Sequence, residues 1–464
     1  MQEEIIKQCG NSTDLIKRTI NKDNITIDLY YIETLTDSEI ITNSILIPLS
    51  NLIINNKNIL ELIMSTIANP SLKAINNINK AINDLHQGNT IIIINNKELL
   101  SIETKANLDR GINEDVIEAS LIGPKDAFTE NINKNIGLIR KRIRNKNLTV
   151  KSITLGTESN TKISICYMNN IVDKKLVEKV FNKIKKIKND IIIDGGYIRG
   201  QLEKTSFFPE INQTERPDLA TFALLEGKVC ILEDNSPTVL IIPTFFIDFF
   251  HTPDDYYQKN INTTFIRILR FFAFIIAIFL PGYYISITTY NPTSIPTNLL
   301  LNLIEQHTRV PFPAFFEITI MIIAFEILRE SDIRIPSKVG SSVSILGGLI
   351  LGDAAVSAGI ISPIMIIVVA ISSISSLVFS YTSMVNLIRY YRYLILFLSA
   401  LLGIYGLFIG LSLLIINISS ITSFGYPYTY PLVPLIKSDI KDSLIKINDK
   451  SNKRNPLLTK NRNR

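Results

Sequence analysis

FIRILRFFAFIIAIFLPGYYISI (265–287), VGSSVSILGGLILGDAAV (339–356), ISPIMIIVVAISSISSLVFSY (361–381) and YLILFLSALLGIYGLFIGLSLLII (393–416) decide how this chain folds. Each is close to, or above, the ~20 apolar residues that take an α-helix across a bilayer. Residues 1–260 differ in character: their apolar runs are short and broken by charged and amide side chains. The 464 residues therefore divide near residue 260. The expected fold class is an α/β cytosolic head of two small subdomains followed by an α-helical polytopic membrane domain. Transport, conduction, sensing, anchoring and membrane enzymology are the functions open to such a chain.

Orientation follows from the flanking charges. The start, MQEEIIKQCGNSTDLIKRTI (1–20), opens with acids and lacks the apolar core of a signal peptide, so the first span sets the topology. Lys259, Arg267 and Arg270 lie before or at the start of that span, and the next basic residue is Arg309. The positive-inside rule then places the head in the cytosol. Arg329, Arg334 and Lys338 make a second inside cluster, Arg389 and Arg392 a third, and the tail after Lys437 is rich in Lys and Arg. Two inside ends need an even number of crossings. FPAFFEITIMIIAFEIL (312–328) is short and carries two acids, and counting it as a fifth span would put the tail outside. Either one segment is re-entrant or interfacial, or FGYPYTYPLVPLI (424–436) helps the chain return; the sequence leaves both open.

Within the head, ITIDLYYIETL (25–35) and NTIIIINN (89–96) have β-branched strand composition, and NLIINNKNILELIMSTI (51–67) has helical apolar spacing. LTVKSITLG (148–156) and KISICYM (162–168) predict a hairpin, as do VCILEDN and PTVLIIP within 229–243. DKKLVEKVFNKIKKIKN (173–189) predicts a helix with Leu176, Val177, Val180, Phe181, Ile184 and Ile187 buried and its lysines on a solvated face. RKRIRNKN (140–147) reads as a polar joint. The expected organisation is an N-terminal tail (1–27), a first subdomain (28–145), a second (146–260), a transmembrane helical domain (261–436) and a basic cytosolic tail (437–464).

Several classes are excluded. Net charge is a mild +6, without the concentrated basic face that a nucleic-acid partner requires. The abundant Asn, Ile and Lys fit the nucleotide bias of an AT-rich genome. Cys9, Cys166 and Cys230 are odd in number, far apart and form no CxxC, which predicts isolated reduced thiols. GxxxxGK[ST], GxGxxG after a strand, HExxH and GxSxG are all missing, and His86, His251 and His307 are dispersed. No enzyme, metal or cofactor is expected. Gly195 and Gly196 in IIIDGGYIRG read as a turn.

Five charged, Gly- and Pro-containing strings stand out: DRGINEDVIEASLIGPKDAFTE (109–130), TERPDLATFALLEGKV (214–229), TPDDYYQ (252–258), RVPFPAFFEITIMIIAFEILRE (309–330) and IRIPSKVGSSVSILGGLILGDAAVSAGIISP (333–363). In this order and spacing, from about residue 28 to about 440, they resemble the A-subunit family of spore germinant receptors, the GerA type. The resemblance implies a protein of the spore inner membrane that works with a transporter-like B subunit and a lipoprotein C subunit. It also implies a homo-oligomeric ring forming a nutrient-gated channel for monovalent cations. Alternatives are a stage V sporulation paralogue that amplifies ion release and a non-conducting membrane scaffold. The family often has an uncharged residue where Asp353 stands, and many members carry a Trp in the tail, which this chain lacks.

The residues themselves suggest where such a function sits. Ser344, Gly348 and Gly352 recur at i, i+4 and i+8, a small-residue stripe that lets helix backbones approach closely. Ser372, Ser373, Ser375, Ser376 and Ser380 give the next span a hydroxyl band, for packing or for lining a pore. Glu317, Glu326 and Asp353 are carboxylates in or near a bilayer, where they are costly without a partner. Glu317 follows a PFP sequence and fits a helix start, Glu326 can pair with Arg329 along a helix, and Asp353 is the candidate ion contact. Asp109, Arg110, Glu114 and Glu118, and the loop with Glu215, Arg216 and Asp218, are candidate subdomain or subunit contacts, since Arg binds carboxylates bidentately.

Overall fold

A computed structural model describes residues 2–10, 12–22, 25–52, 59–67, 69–108, 122–203, 206–308, 310–334, 352–436, 443, 445–446 and 458–459. The head is built twice on one plan. Strands β1 (Leu15–Lys22), β2 (Ile25–Ile32), β3 (Lys73–Ile75), β4 (Asn89–Ile94) and β5 (Glu98–Glu103) form an antiparallel sheet of order β1-β2-β4-β5-β3. Strands β6 (Leu148–Leu155), β7 (Thr161–Met168), β8 (Asn212–Thr214), β9 (Val229–Glu233) and β10 (Val239–Ile242) repeat that order as β6-β7-β9-β10-β8. The helices repeat as well. Around the first sheet, α1 (Gln2–Gln8), a continuous helical stretch over 38–50, α2 (Ile59–Thr66) and α3 (Ile78–Leu85) occupy the chain positions that α4 (Ile132–Arg142), α5 (Lys174–Lys185), α6 (Gly195–Leu202) and α7 (Pro217–Leu225) occupy around the second.

Both faces of each sheet are covered, which is why the central strands read as unbroken apolar runs instead of alternating ones. Ile91 and Ile93 pack under α1 and α3, whereas Ile92 and Ile94 face α2. Cys230 and Leu232 pack under α4 and α7, whereas Val229 and Ile231 face α5 and α6. The stripe of α5 is placed as its spacing predicts: Leu176, Val177, Val180 and Ile184 are buried, with Phe181 and Ile187 packed against them.

Two expectations about the head are corrected. Residues 1–27 are not a tail: β1 pairs with β2 from Leu15↔Ile32 to Lys22↔Ile25, and Ile5 of α1 is fully buried. Being an edge strand with half its residues facing water, β1 carries Lys17 and Arg18 and lacks a strand's usual apolar signature. RKRIRNKN is not a joint either. Its first residues close α4, whose Ile132, Ile136 and Ile139 pack with Leu148, Val150 and Cys166 of the second subdomain. The boundary thus precedes α4. Gly195 and Gly196 open α6 instead of forming a free turn, with Asp194 accepting from the Gly196 N–H at 3.3 Å.

The C-terminal half is helical: α8 (Asn260–Ile285), α9 (Thr297–Thr308), α10 (Ala314–Arg334), α11 (Pro363–Leu377), α12 (Thr382–Leu402) and α13 (Ile404–Ser420). Among the described residues, Asn260–Tyr290 and Thr382–Leu402 are long and apolar enough to cross a membrane, and two shorter apolar helices accompany them. VGSSVSILGGLILGDAAV lies outside the described residues except for 352–356. The stretch 393–416, expected as one span, is two helices that reverse at Gly403 (φ 60°). A side chain there would lie 2.8 Å from the Tyr290 ring. Beyond the reversal, α13 packs closely on α12, because Gly406 sits on the Leu398 backbone and Gly410 on Ile395.

The helix directions follow from these contacts. Helix α8 leaves the head beside Phe250 and continues through a π-helical turn (Ser286–Tyr290) to Tyr290, whose hydroxyl donates to the Ala400 carbonyl at 2.6 Å. Helix α12 leaves beside Phe207, which stacks on Tyr390 at 3.7 Å. Helices α11 and α13 run back, so Phe379, Ile418 and Ile421 join the aromatic cluster of Phe245, Phe249 and Phe250. Residues 260 and 421 therefore both lie against the head.

Candidate functional site

The site with the densest buried chemistry is the junction where the head meets the helices. Asp255 is 2% exposed and Arg267 is 0% exposed. Arg270 donates to both Asp255 oxygens, at 2.7 and 3.1 Å, and Arg267 Nε donates to Oδ2 at 3.2 Å. Arg270 also reaches the Phe250 carbonyl and the Thr252 hydroxyl, each at 2.8 Å. Burial alone would raise the Asp255 carboxyl; Arg270, the Thr252 N–H and Arg267 overcome it and hold the group below its ordinary value. A buried ion pair of this kind fixes geometry more than it adds stability. Here it fixes the angle at which α8 leaves the head. Sequence reasoning used Arg267 and Arg270 only as markers of the inner membrane face. Their i, i+3 spacing on one face of a helix, following the acids of TPDDYYQ, was the available signal.

A second attachment is the loop after α13. Phe424 inserts among the residues packed between the second sheet and α5–α6. Lys179 donates to the Phe424 carbonyl at 2.9 Å, and the Lys183 ammonium lies 4.3 Å from its ring centroid. The Ser423 hydroxyl donates to the Glu210 carbonyl at 3.0 Å and accepts from the Thr244 N–H at 3.2 Å. The expected solvated face of α5 is thus corrected: two of its lysines hold the chain returning from the helical half.

The helices contain their own polar framework. Arg392 on α12 is 2% exposed and donates to the Ala277 carbonyl of α8 (2.9 Å) and the Ser372 carbonyl of α11 (3.3 Å). The Ser372 hydroxyl donates to the same Ala277 carbonyl at 2.9 Å, while Ser376 bonds within its own helix. Glu326 reaches Arg389 at 2.6 Å and Arg392 at 3.9 Å, so its salt bridges cross to α12. Glu317 is fully buried in the first turn of α10. It accepts from the Ser362 N–H (2.9 Å) and hydroxyl (3.0 Å) at the start of α11, with His307 Nδ1 at 3.2 Å.

The remaining candidates separate. Gly352 is half-buried beside Ile366, and Asp353 is exposed. Ser344, Gly348, Asp109, Arg110 and Glu114 lie outside the described residues. Arg216 and Asp218 are 1% and 5% exposed and bind each other, with Arg216 also donating to the Pro124 carbonyl at 2.9 Å. Tyr257 donates to Asp218 at 2.8 Å. The Glu215 carbonyl accepts from the Phe128 N–H at 2.8 Å. These hydrogen bonds of Arg216 and Asp218 join segments of one chain.

Between the subdomains, Arg140 of α4 binds Asp14 through two nitrogens, at 2.6 and 2.8 Å. Burial would raise the Asp14 carboxyl, but Arg140 and the Ser12 and Thr34 hydroxyls hold it below the ordinary value. Cys166 and Cys230, distant in sequence, are direct partners across β7 and β9. Burial pushes the Cys166 thiol up to about 12, which removes it from thiolate chemistry. No group of three or more metal-ligating side chains occurs among the described residues.

The family described as Bacillus/Clostridium GerA spore germination protein matches residues 3–458. The chain is 37% identical over 452 residues to spore germination protein KA of Bacillus subtilis (strain 168), covering 96% of this chain and 83% of that protein. It is 32% identical over 466 residues to spore germination protein GerQA of Bacillus cereus, covering 100% and 93%. It is 33% identical over 389 residues to the uncharacterized membrane protein YfkQ of Bacillus subtilis (strain 168), covering 83% and 76%. Among solved structures, the N-terminal domain of the A subunit of the Bacillus megaterium spore germinant receptor GerK3 is similar at 28% identity. Its TM-score is 0.42, over 53% of this chain and 94% of that one.

Proposed function

Because the chain belongs to the GerA family of spore germination proteins, we propose that it is the A subunit of a germinant receptor. In this reading it is a multi-pass protein of the spore inner membrane with its head on the cytosolic side. Copies of the chain form a ring that conducts monovalent cations when nutrient binds. A transporter-like B subunit and a lipoprotein C subunit complete the receptor.

The observation that carries the reading is the family match over head and helices together. Two features support the membrane placement. The helical half exposes a band of large apolar side chains, among them Phe272, Phe408, Ile415 and Ile416, and such a band needs lipid or another copy of the chain to cover it. Both ends of the helical half return to the head, as an even number of crossings requires. Asp353, repeated around a ring, would concentrate cations at the mouth of a pathway.

Flux from proteoliposomes tests the proposal. With its partners and nutrient supplied, the protein should release potassium. An assembled ring that passes no cation would leave the scaffold reading. Loss of cation preference in Asp353→Asn with assembly intact would place that acid on the path, and an unchanged reversal potential would remove it.

A further inference from the structure

We propose that Arg329 and Arg389, where α10 meets α12, bind the phosphate group of an anionic phospholipid. The inference goes beyond the channel reading and rests only on the membrane placement within it.

Four charged groups meet there. Glu326 reaches Arg389 Nη2 at 2.6 Å and Arg392 Nη1 at 3.9 Å. Glu326 and Arg389 are the charges that act on Arg329, and all three act on Arg392. Three guanidiniums thus face one carboxylate. Glu330 is exposed to water, which screens its charge. The stretch 335–351 that follows α10 carries Lys338 and no acid.

The hydrogen bonding of this cluster is incomplete. Arg392 is buried and committed to the Ala277 and Ser372 carbonyls. Arg389 directs donors to Glu326 and, at 3.4 Å, to Asn386, while its Nε is buried without a hydrogen-bond partner among the described residues. Arg329 makes no hydrogen bond or salt bridge among the described residues. A cationic excess beside hydrocarbon is costly unless an anion answers it. The planar fork of Arg matches the oxygens of a phosphate.

The position of the cluster favours a lipid over a free anion. Helix α10 begins at the Glu317–Ser362 contact, remote from the head, so its last turns approach the head. Ser372, a partner of Arg392, precedes Phe379 of the aromatic cluster at the head. Their separation is ~10 Å at 1.5 Å per residue, the depth where headgroups give way to hydrocarbon. Ile323 and Ile327 of α10 are exposed beside the cluster, and so is Tyr390, stacked on Phe207. Arginines flanked by exposed apolar side chains fit a phosphate that carries acyl chains, the pattern of basic pockets between helices that hold anionic headgroups.

Native mass spectrometry of the full-length protein, stripped of lipid in a neutral detergent, tests this. Phosphatidylglycerol should bind about tenfold or more tighter than phosphatidylcholine, and Arg329→Gln or Arg389→Gln should each reduce that preference about fivefold. Melting without added lipid checks that the variants fold. Glu326→Gln removes the one carboxylate facing the arginines and should strengthen the preference; a weaker preference would mean that the arginines only bridge the helices, and would overturn the proposal. Equal binding of both lipids would also overturn it. Arginine-dependent binding of inorganic phosphate without binding of phosphatidylglycerol would refute the lipid and leave a free anion as the ligand. The membrane placement is read separately: release of the chain from membranes by alkaline carbonate would refute that placement, whereas retention without a phosphatidylglycerol preference would refute this site alone.

Discussion

The two halves of the head share one strand order but differ in what they serve. The first sheet is covered by its own helices, and among the described residues Ile92 and Ile94 pack with side chains of the first subdomain. The second sheet leaves the corresponding position between α5 and α6 open to Phe424, which arrives from the far end of the helical half. The second subdomain also carries the linker to α8, the Arg216–Asp218 pair that Tyr257 caps, and the contacts of Val172 with Thr459 and of Gly227 with Leu458. One strand order thus appears once closed by its own helices and once as a socket for the helical half. The difference teaches that duplication supplies a stable sheet, while attachment depends on a few side chains that need not alter the strand order.

The sharpest way to break this comparison is to empty the socket. Phe424→Ala should cost about 3–5 kcal/mol, the range for truncating a buried aromatic. The cost should appear as lost protection in the second subdomain and α13, with β1–β5 unaffected. Equal loss of protection in both sheets would mean that the two halves unfold as one unit.

The link between the halves comes next. Arg140→Met alone strands the buried Asp14 and should cost about 3 kcal/mol. Adding Asp14→Leu should recover part of that loss. Thermal unfolding of both variants decides it, and equal destabilisation in single and double variants would show that burial of the charge is not the issue.

pH separates the halves further. Burial, reinforced by the nearby Asp194 carboxylate, raises Glu233 of the second sheet to about 8. A carboxyl raised in the folded state favours the protonated form, so its contribution is complete below the unfolded value and is lost as pH rises through about 8. Between pH 5 and 9 the second subdomain should lose about 2 kcal/mol or more, and Glu233→Gln should flatten that slope. Asp14 acts in the opposite sense: its lowered carboxyl stabilises above 3.8 and fails as pH falls through its still lower folded value. Acid should therefore loosen the interface between the halves, and alkali the second half alone. Chemical denaturation at a series of pH values checks both arms.

The smallest effect is expected at the helical reversal. Gly403→Ala places a methyl group against Tyr290 at a positive φ and should cost about 1–2 kcal/mol. The change should be confined to α12 and α13 and leave the melting of the head unchanged.

Much of the fold could be read from the residues. The hairpins β6–β7 and β9–β10, helix α5 and the division near 260 follow from apolar spacing, because burial on a regular element imposes a fixed period. β1 escaped, since an edge strand half in water has no such period. The duplication escaped because strand order is a property of pairing and leaves no repeat in the text. The reversal at Gly403 escaped because a glycine inside an apolar run reads alike in a continuous helix and at a turn. Only Gly406 and Gly410, spaced to let a second helix approach, distinguish the two.

The site was the least legible part. Asp255, Arg267 and Arg270 are near enough in sequence to be suspected, but Lys179 meets Phe424, Arg140 meets Asp14 and Glu326 meets Arg389 only after the chain has folded. The sequence by itself determined which residues must leave water, because transfer free energy is a property of each side chain and its period. Tertiary structure decided which buried charge answers which. That choice depends on distances between segments far apart along the chain, and no local pattern encodes it.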